Sequence, residues 1–163
     1  MIAMRVRDAT PADADTIATF ARELSLEEGY PAPLLQAEDV RVEGFGAAPR
    51  FRVLIAERDG VAAGYALFYP AYDTDHAARG FYLQDLYVVP EARRQGAGRA
   101  LMAAVARACE AEGGCYVFWN AQPRNRAGLA FYRRIGAREE RVLTLSLQPD
   151  ALRRLVGGTA DAP

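Results

Sequence analysis

The chain is poor in cysteine and histidine and has no apolar run of membrane-spanning length, and each scarcity closes off a class of protein. Its two cysteines, Cys109 and Cys115, form neither a CxxC nor a Cys/His ligand pattern and fall in stretches that read as packed structure. The sequence therefore predicts no disulfide framework and no metal site, and a reducing cytoplasm is the expected location. The one histidine, His76, stands in a polar, Asp-rich loop without ligand-spaced neighbours and is given no catalytic role. The first residues, Met1-Ile2-Ala3-Met4-Arg5-Val6-Arg7-Asp8, reach charge too early for a signal peptide, and later apolar stretches are broken by Arg, Asp or Glu. Neither sign of charge dominates. With 20 basic and 21 acidic side chains the formal charge is −1, so no broad field exists to hold nucleic acid or an anionic membrane, and neither is an expected partner.

What is present is ample apolar material. A length of 163 residues with 51% hydrophobic content suffices for one domain with a continuous core, expected over residues 1–156, with 157–163 as a loose tail. After a short strand at Met4 to Asp8, Thr10, Pro11 and Asp13 signal a helix start, and Ile17, Phe20, Ala21 and Leu24 recur at helical spacing up to about Leu26. A second short helix is expected over Leu34 to Val42. Phe51 to Arg58 and Val61 to Tyr69 read as a hairpin closed by Asp59-Gly60, and Gly80 to Val89 as a central strand stopped by Pro90. A helix over about 97–112, a strand from Cys115 to Asn120, a helix from Asn125 to Ile135 and a last alternating strand from Glu140 to Leu147 follow, with one or two more helical turns after Pro149. This order predicts an α/β fold with a mixed sheet of six or seven strands and about four helices.

The chemistry concentrates where the central strand feeds a turn and the turn feeds a helix: Leu86-Tyr87-Val88-Val89-Pro90, then Arg93-Arg94-Gln95-Gly96-Ala97-Gly98-Arg99. Gly96 and Gly98 remove Cβ atoms that would hold a ligand off the main chain, and the first N–H groups of a helix point outward with its positive dipole end, so such a turn suits phosphate. Arg99 and Ala100 occupy the places of a nucleotide loop's Lys and Ser/Thr, and a full GxGxxG is missing, which argues against ATP and NAD.

Arg93-x-x-Gly96-x-Gly98 after such a strand resembles the acetyl-CoA pyrophosphate loop of the GNAT N-acetyltransferases. A second segment, Asn125 followed by Ala130-Phe131-Tyr132-Arg133-Arg134-Ile135-Gly136-Ala137, resembles another signature of that family, in order and in register. Leu24 to Glu28, Glu43-Gly44-Phe45-Gly46, Phe68-Tyr69 with Tyr72-Asp73, and Tyr82-Leu83-Gln84-Asp85-Leu86 are similar to its diamine (spermidine/spermine-like) branch. One position departs: the branch has Glu-Asp where this chain has Gln84-Asp85.

The resemblance implies a GNAT fold whose neighbouring parallel strands splay to admit the pantetheine arm, with acetyl-CoA as co-substrate. It implies backbone contacts from Tyr87, Val88 and Val89, with an N–H near Val88 left free by a bulge to stabilise the tetrahedral intermediate. Main-chain groups of Arg94, Gln95, Gly96, Ala97, Gly98 and Arg99 would hold the pyrophosphate; the arginine side chains suit phosphate or solvent equally. Asn125 would contact the cofactor, and would equally serve as an N-cap. Tyr132 would be the general acid for the leaving thiolate, since a phenol, ordinarily near pKa ~10, keeps its proton at neutral pH. Glu27, Glu28, Gln84 and Asp85, with Phe118, Trp119 and Asn120, would line the acceptor groove, and each carboxylate alone also reads as surface charge. The expected reaction is direct attack of a small primary amine, a diamine, polyamine or amino-acid-like compound, in a ternary complex. A protein or peptide N-acetyltransferase and a non-catalytic acyl-CoA sensor are the other readings, and the branch implies a homodimer.

Overall fold

Strands β2 (Arg52–Arg58) and β3 (Val61–Asp73) carry nearly unbroken apolar runs, and a run of that kind requires cover on both faces of a sheet. The computed structural model, which describes residues 4–158, supplies it. On one face Val53, Ile55, Tyr65 and Leu67 pack with Ile17, Phe20 and Ala21 of helix α1 (Ala14–Glu27) and Val40 of α2 (Ala37–Phe45). On the other, Leu54, Ala56, Ala66 and Phe68 pack with Leu101, Val105 and Cys109 of α3 (Ala97–Ala111). Successive residues of one strand thus feed two cores, as the two-residue period of a strand dictates. Burying an Ile or Leu completely, as at Ile55 and Leu101 (both 0% exposed), contributes about 1.5–3 kcal/mol each.

β1 (Arg5–Asp8), β2, β3 and β4 (Ala78–Val88) join antiparallel in chain order, and β5 (Tyr116–Phe118) adds to β4 in parallel. Asp59 and Gly60 take φ of 54° and 76°, the paired positive values of a tight hairpin turn between β2 and β3. α4 (Arg126–Arg134) and α5 (Pro149–Val156) complete the elements. The chain divides into two compact units, Met1–Leu129 and Ala130–Pro163, and the whole sheet belongs to the first. No helix among the described residues is long and apolar enough to cross a membrane.

Among the described residues the sheet has five strands rather than the six or seven expected. Glu140 to Leu147 keeps its alternation, yet Val142, Leu143, Leu145 and Leu147 are exposed and no described strand pairs with it. Alternation without a ladder partner leaves the backbone groups to solvent, and no strand forms. The second helix starts later than expected because Asp39 Oδ2 accepts the Gln36 N–H at 2.8 Å, which places the cap at Gln36 and not before Leu34. Most of the tail at 157–163 lies outside the described residues.

The helical entrance before α1 is tied by charge. Asp13 accepts the Thr10 N–H at 2.7 Å and both terminal nitrogens of Arg7 at 2.7 and 2.8 Å, while Arg7 Nε donates to Glu57 on β2 at 2.7 Å. The Arg7 bonds, outweighing burial and helped by Thr10, hold the Asp13 carboxyl down at about 2. A folded value below the unfolded one means that the pair's stabilisation is complete above roughly pH 4 and is lost as pH falls through about 2. Asp13→Asn is therefore expected to cost about 1–2 kcal/mol at pH 7 and nothing further near pH 2, to be read from urea unfolding at the two pH values.

Candidate active site

Strand β4 positions the site through one irregularity. Leu67 pairs with Asp85 and Phe68 with Leu83, so Gln84 is an extra residue in β4 with no partner of its own. Phe81 and Leu83 face the α3 core, whereas Tyr87 faces the α1 core. The bulge is what changes the parity: were Gln84 a regular member of the ladder, Asp85 would share the face of Leu83. Instead it lies opposite α1, where the Tyr65 hydroxyl donates to Asp85 Oδ2 at 2.7 Å. The bulge expected near Val88 is thus at Gln84.

The opening at Val88 has another cause. The Val89 N–H donates to Ala63 on β3 at 3.0 Å, so antiparallel alternation turns the Val88 N–H and C=O away from β3. On that side β5 pairs with Gly80 to Tyr82 alone and ends at Phe118, and no described strand runs along Leu83 to Val88. The two parallel strands therefore part after three residues. Tyr82 and Phe118 meet edge to face at 4.9 Å where they part, and Asn120 Nδ2 donates to the Tyr82 hydroxyl at 3.1 Å. Phe118 is exposed and Trp119 packs partly buried against the α3 core.

Beyond Val88 the chain turns through a short 3-10 segment, Pro90–Ala92, into the glycine loop. Arg94 has φ of 60° and Gly96 φ of 92°; Gly96 is the N-cap of α3, whose buried Ala97 and Leu101 fix the helix against the sheet. Arg94, Gln95, Gly96 and Arg99 are exposed. The N–H groups at a helix start have no partner within the helix, so this turn presents main-chain donors and the positive dipole end to solvent, a fit for a diphosphate. Gln95 steadies the loop by donating to the Glu91 carbonyl at 2.6 Å and accepting from Arg58.

Arg93 braces the loop against the strand. Its Nε donates to the Val88 carbonyl at 2.8 Å, its Nη2 pairs with Glu27 at 2.5 Å, and its guanidinium lies 5.7 Å from the Tyr87 ring centre. Glu27 is thereby engaged with Arg93. Tyr87 in turn donates to Glu23 at 2.9 Å, and burial first, then that bond, raises its phenol above the ordinary range.

Glu28 and Asp85 form the acidic centre. Burial raises the Glu28 carboxyl, the Asp85 charge raises it further, and Arg124 opposes. Burial likewise raises Asp85, against the lowering effect of its Tyr65 bond. Arg124 also donates to the Glu28 carbonyl and stacks 5.9 Å over Tyr30, whose hydroxyl accepts from Gln122, so the chain after α1 is fastened to the segment after β5. Gln84 is exposed, its Oε1 3.4 Å from the Tyr69 hydroxyl.

A splayed strand pair, a glycine loop at a helix start and an acidic centre coincide with a match of residues 18–137 to the family model of the acetyltransferase (GNAT) family. The chain belongs to the GNAT family. It is an acyltransferase, an N-acetyltransferase with acetyl-CoA as co-substrate. It is similar to thialysine N-epsilon-acetyltransferase of Mus musculus, 31% identical over 176 residues that cover 96% of this chain and 99% of the relative. It is also similar to spermidine/spermine N(1)-acetyltransferase-like protein 1 of Homo sapiens, 28% identical over 146 residues, 82% of this chain and 20% of that one. These relatives match the diamine branch. Among solved structures, aminoglycoside N-acetyltransferase AAC(6')-Iy in complex with CoA superposes with a TM-score of 0.74 at 20% identity, covering 91% of this chain and 97% of that one, a likeness of fold.

On this GNAT chain the second motif starts with a cap: Asn125 Oδ1 accepts the Gly128 N–H at 2.9 Å at the head of α4. Tyr132 stands further along α4, in the unit Ala130–Pro163, its ring 5.3 Å from that of Phe131 and its carbonyl accepting the Ala137 N–H at 3.0 Å. Sequence reasoning missed Tyr65, which looks like any apolar residue of β3. It also missed the displaced bulge, although a signal existed: the apolar spacing along β4 changes from Phe81 and Leu83 to Leu86 and Val88, a switch of parity across Gln84-Asp85.

Proposed function

We propose that this enzyme acetylates the primary amine of a small molecule, a diamine, polyamine or amino-acid-like compound, by direct attack on acetyl-CoA in a ternary complex. The observation that carries the reading is the Glu28–Asp85 pair, two carboxyls raised by burial, with the Asp85 charge close enough to raise Glu28 further, next to the opened edge of β4. Such a pair attracts an ammonium group. The names of the relatives, thialysine and spermidine/spermine acetyltransferases, point to the same class of acceptor.

Acetyl-CoA supplies the activated acetyl group. The main chain of Arg94 to Arg99 holds the diphosphate, and Tyr87 to Val89 align the pantetheine arm, with the Val88 N–H turned toward the carbonyl oxygen. An alkylamine with a pKa of about 10 is protonated about a thousandfold at pH 7, so a base must accept its proton. Asp85 or Glu28 serves, since burial raises both carboxyls toward the working pH. Tyr132 returns a proton to the departing thiolate, a role assigned on the family motif, and Asn125 contacts the cofactor on the same ground. Phe118, Trp119 and Asn120 border the acceptor. A cytoplasmic location follows from the cysteine usage, and a homodimer from the branch.

The test is thiol release from acetyl-CoA with the purified enzyme and a panel of thialysine, ornithine, spermidine, short diamines and lysine-containing peptides. The chain contains no lysine of its own, so self-acetylation of side chains adds no background. Turnover of at least one small amine at about tenfold or more the rate with any peptide is expected. Preference for peptides would replace the acceptor assignment, and release with none would favour an acyl-CoA sensor.

A further inference from the structure

The mechanism uses Asp85, but nothing in it explains why a fully buried tyrosine should reach that carboxylate. Tyr65 is 0% exposed, packed on Phe20 with ring centres 6.0 Å apart, in the core between β3 and α1. A phenylalanine would fill this apolar setting equally well. The hydroxyl instead points along the face that the Gln84 bulge opens and donates to Asp85 Oδ2 at 2.7 Å. A buried phenol and a half-buried carboxylate that both forgo water are tolerated because each satisfies the other.

We propose that Tyr65 is a positioning residue for the acceptor amine: its hydroxyl fixes the Asp85 carboxylate in one orientation and leaves Oδ1 directed to the substrate ammonium. This rests on the reading of Glu28 and Asp85 as the amine site. The physical logic is that a carboxylate anchored through one oxygen binds a cation without first losing side-chain freedom. A donated hydrogen bond also favours the ionised form, which opposes burial at Asp85. The groups facing Asp85 are Tyr65 and Tyr69 from β3 and Glu28 from the end of α1, with Arg124 acting on Glu28 and Tyr87 adding to the field at Tyr65. Burial opposes the charge on Asp85, that charge in turn raises Glu28, and Tyr65 is the group that donates to Asp85. Tyr65 itself is held far above the ordinary phenol range, by burial first and then by Asp85, so it remains the donor throughout the working pH range.

Tyr65→Phe is the direct test, read in three ways. The carboxyl carbon of Asp85, labelled with 13C and assigned by its loss in Asp85→Asn, is expected to titrate at higher pH in Tyr65→Phe than in the unaltered enzyme. Calorimetric binding of 1,4-diaminobutane is expected to weaken about tenfold at pH 7 while the Kd for acetyl-CoA stays within about twofold. The KM for the amine should rise with kcat little changed, and the acidic limb of kcat/KM should move to higher pH. Once Asp85 is Asn, adding Tyr65→Phe should leave the KM for the amine where it was. An unmoved Asp85 titration in a folded Tyr65→Phe protein would overturn the proposal. Should that variant not fold, Asp85→Asn alone decides: an acidic limb of kcat/KM left at its original pH would mean that Asp85 is not the titrating anchor, and the proposal falls. If the unaltered enzyme acetylates no amine, the acceptor reading fails separately, and the carboxyl titration and diamine binding still judge what Tyr65 does to Asp85.

Discussion

Gly96→Val is expected to fold and to lose most of its affinity for acetyl-CoA, with Kd rising about 30–100-fold. The residue has φ of 92°, a conformation that a β-branched side chain adopts only with strain of about 1–3 kcal/mol. Space is not the obstacle, because a Cβ built on Gly96 meets nothing within 4 Å. The strain can be relieved only by rotating the backbone around position 96. On the helix side that rotation is resisted, since Ala97 is 1% and Leu101 0% exposed in the α3 core and moving them opens a void. Relaxation is directed into Arg94 to Gly96, where the side chains are exposed and the Gln95 bonds to Glu91 and Arg58, rather than core packing, are what resist it. Those are the amides proposed to converge on the diphosphate, and amides that diverge no longer act as one anion site. Calorimetry with acetyl-CoA, run beside a thermal melt, checks the result. A melting temperature close to that of the unaltered chain with Kd raised supports the loop's role, whereas Kd within about threefold would show that the diphosphate is held elsewhere. Gly96→Ala, with a smaller side chain at the same φ, should fall between the two.

What the amino-acid sequence discloses follows from the range over which each feature is determined. The Asp59-Gly60 turn, the stop at Pro90 and the α3 start at Gly96 depend on local backbone preferences, and they lie where a reading of neighbouring residues puts them. The two-faced burial of β2 and β3 is also visible, because a continuous apolar run has few other uses in a sheet. Features set by partners distant in sequence are not visible in this way. The strand-like Glu140 to Leu147 alternates as a strand does, yet a ladder requires an edge to join, and no local pattern reveals whether an edge is offered. Tyr65 and Asp85 are separated by 20 positions and meet because an unpaired residue shifts the parity of β4. The sequence puts a bulge near Val88, whereas the bulge lies at Gln84 and the two parallel strands part through the early end of β5, a property of a neighbouring strand. Arg93 shows the same limit. As one of three arginines near a glycine loop it reads equally as a phosphate ligand or a solvated charge, and the structure pairs it with Val88, Glu27 and the face of Tyr87.

The remaining large effect is expected at Tyr132, where replacement by phenylalanine should lower kcat about 100-fold or more while the Kd for acetyl-CoA holds within about twofold. The substitution is well suited to isolating a hydroxyl. The Tyr132 carbonyl accepts the Ile135 N–H at 3.2 Å and the Ala137 N–H at 3.0 Å, which close the end of α4, and a phenylalanine retains both. The ring contact with Phe131, 5.3 Å between centres, is kept as well. Helix end and packing being preserved, a fall of this size, about 2.7 kcal/mol in the barrier, belongs to the missing proton donor. The pattern of constants separates the possible roles. A packing role predicts a lower melting temperature and a kcat reduced less than about fivefold. A cofactor-binding role predicts a higher Kd for acetyl-CoA with kcat preserved at saturation. An acid for the thiolate predicts the reverse, because the hydroxyl then stabilises the transition state and not the bound ground state. Turnover absent from both proteins would instead make the chain a binder of acyl-CoA, and Tyr132 would have no thiolate to protonate.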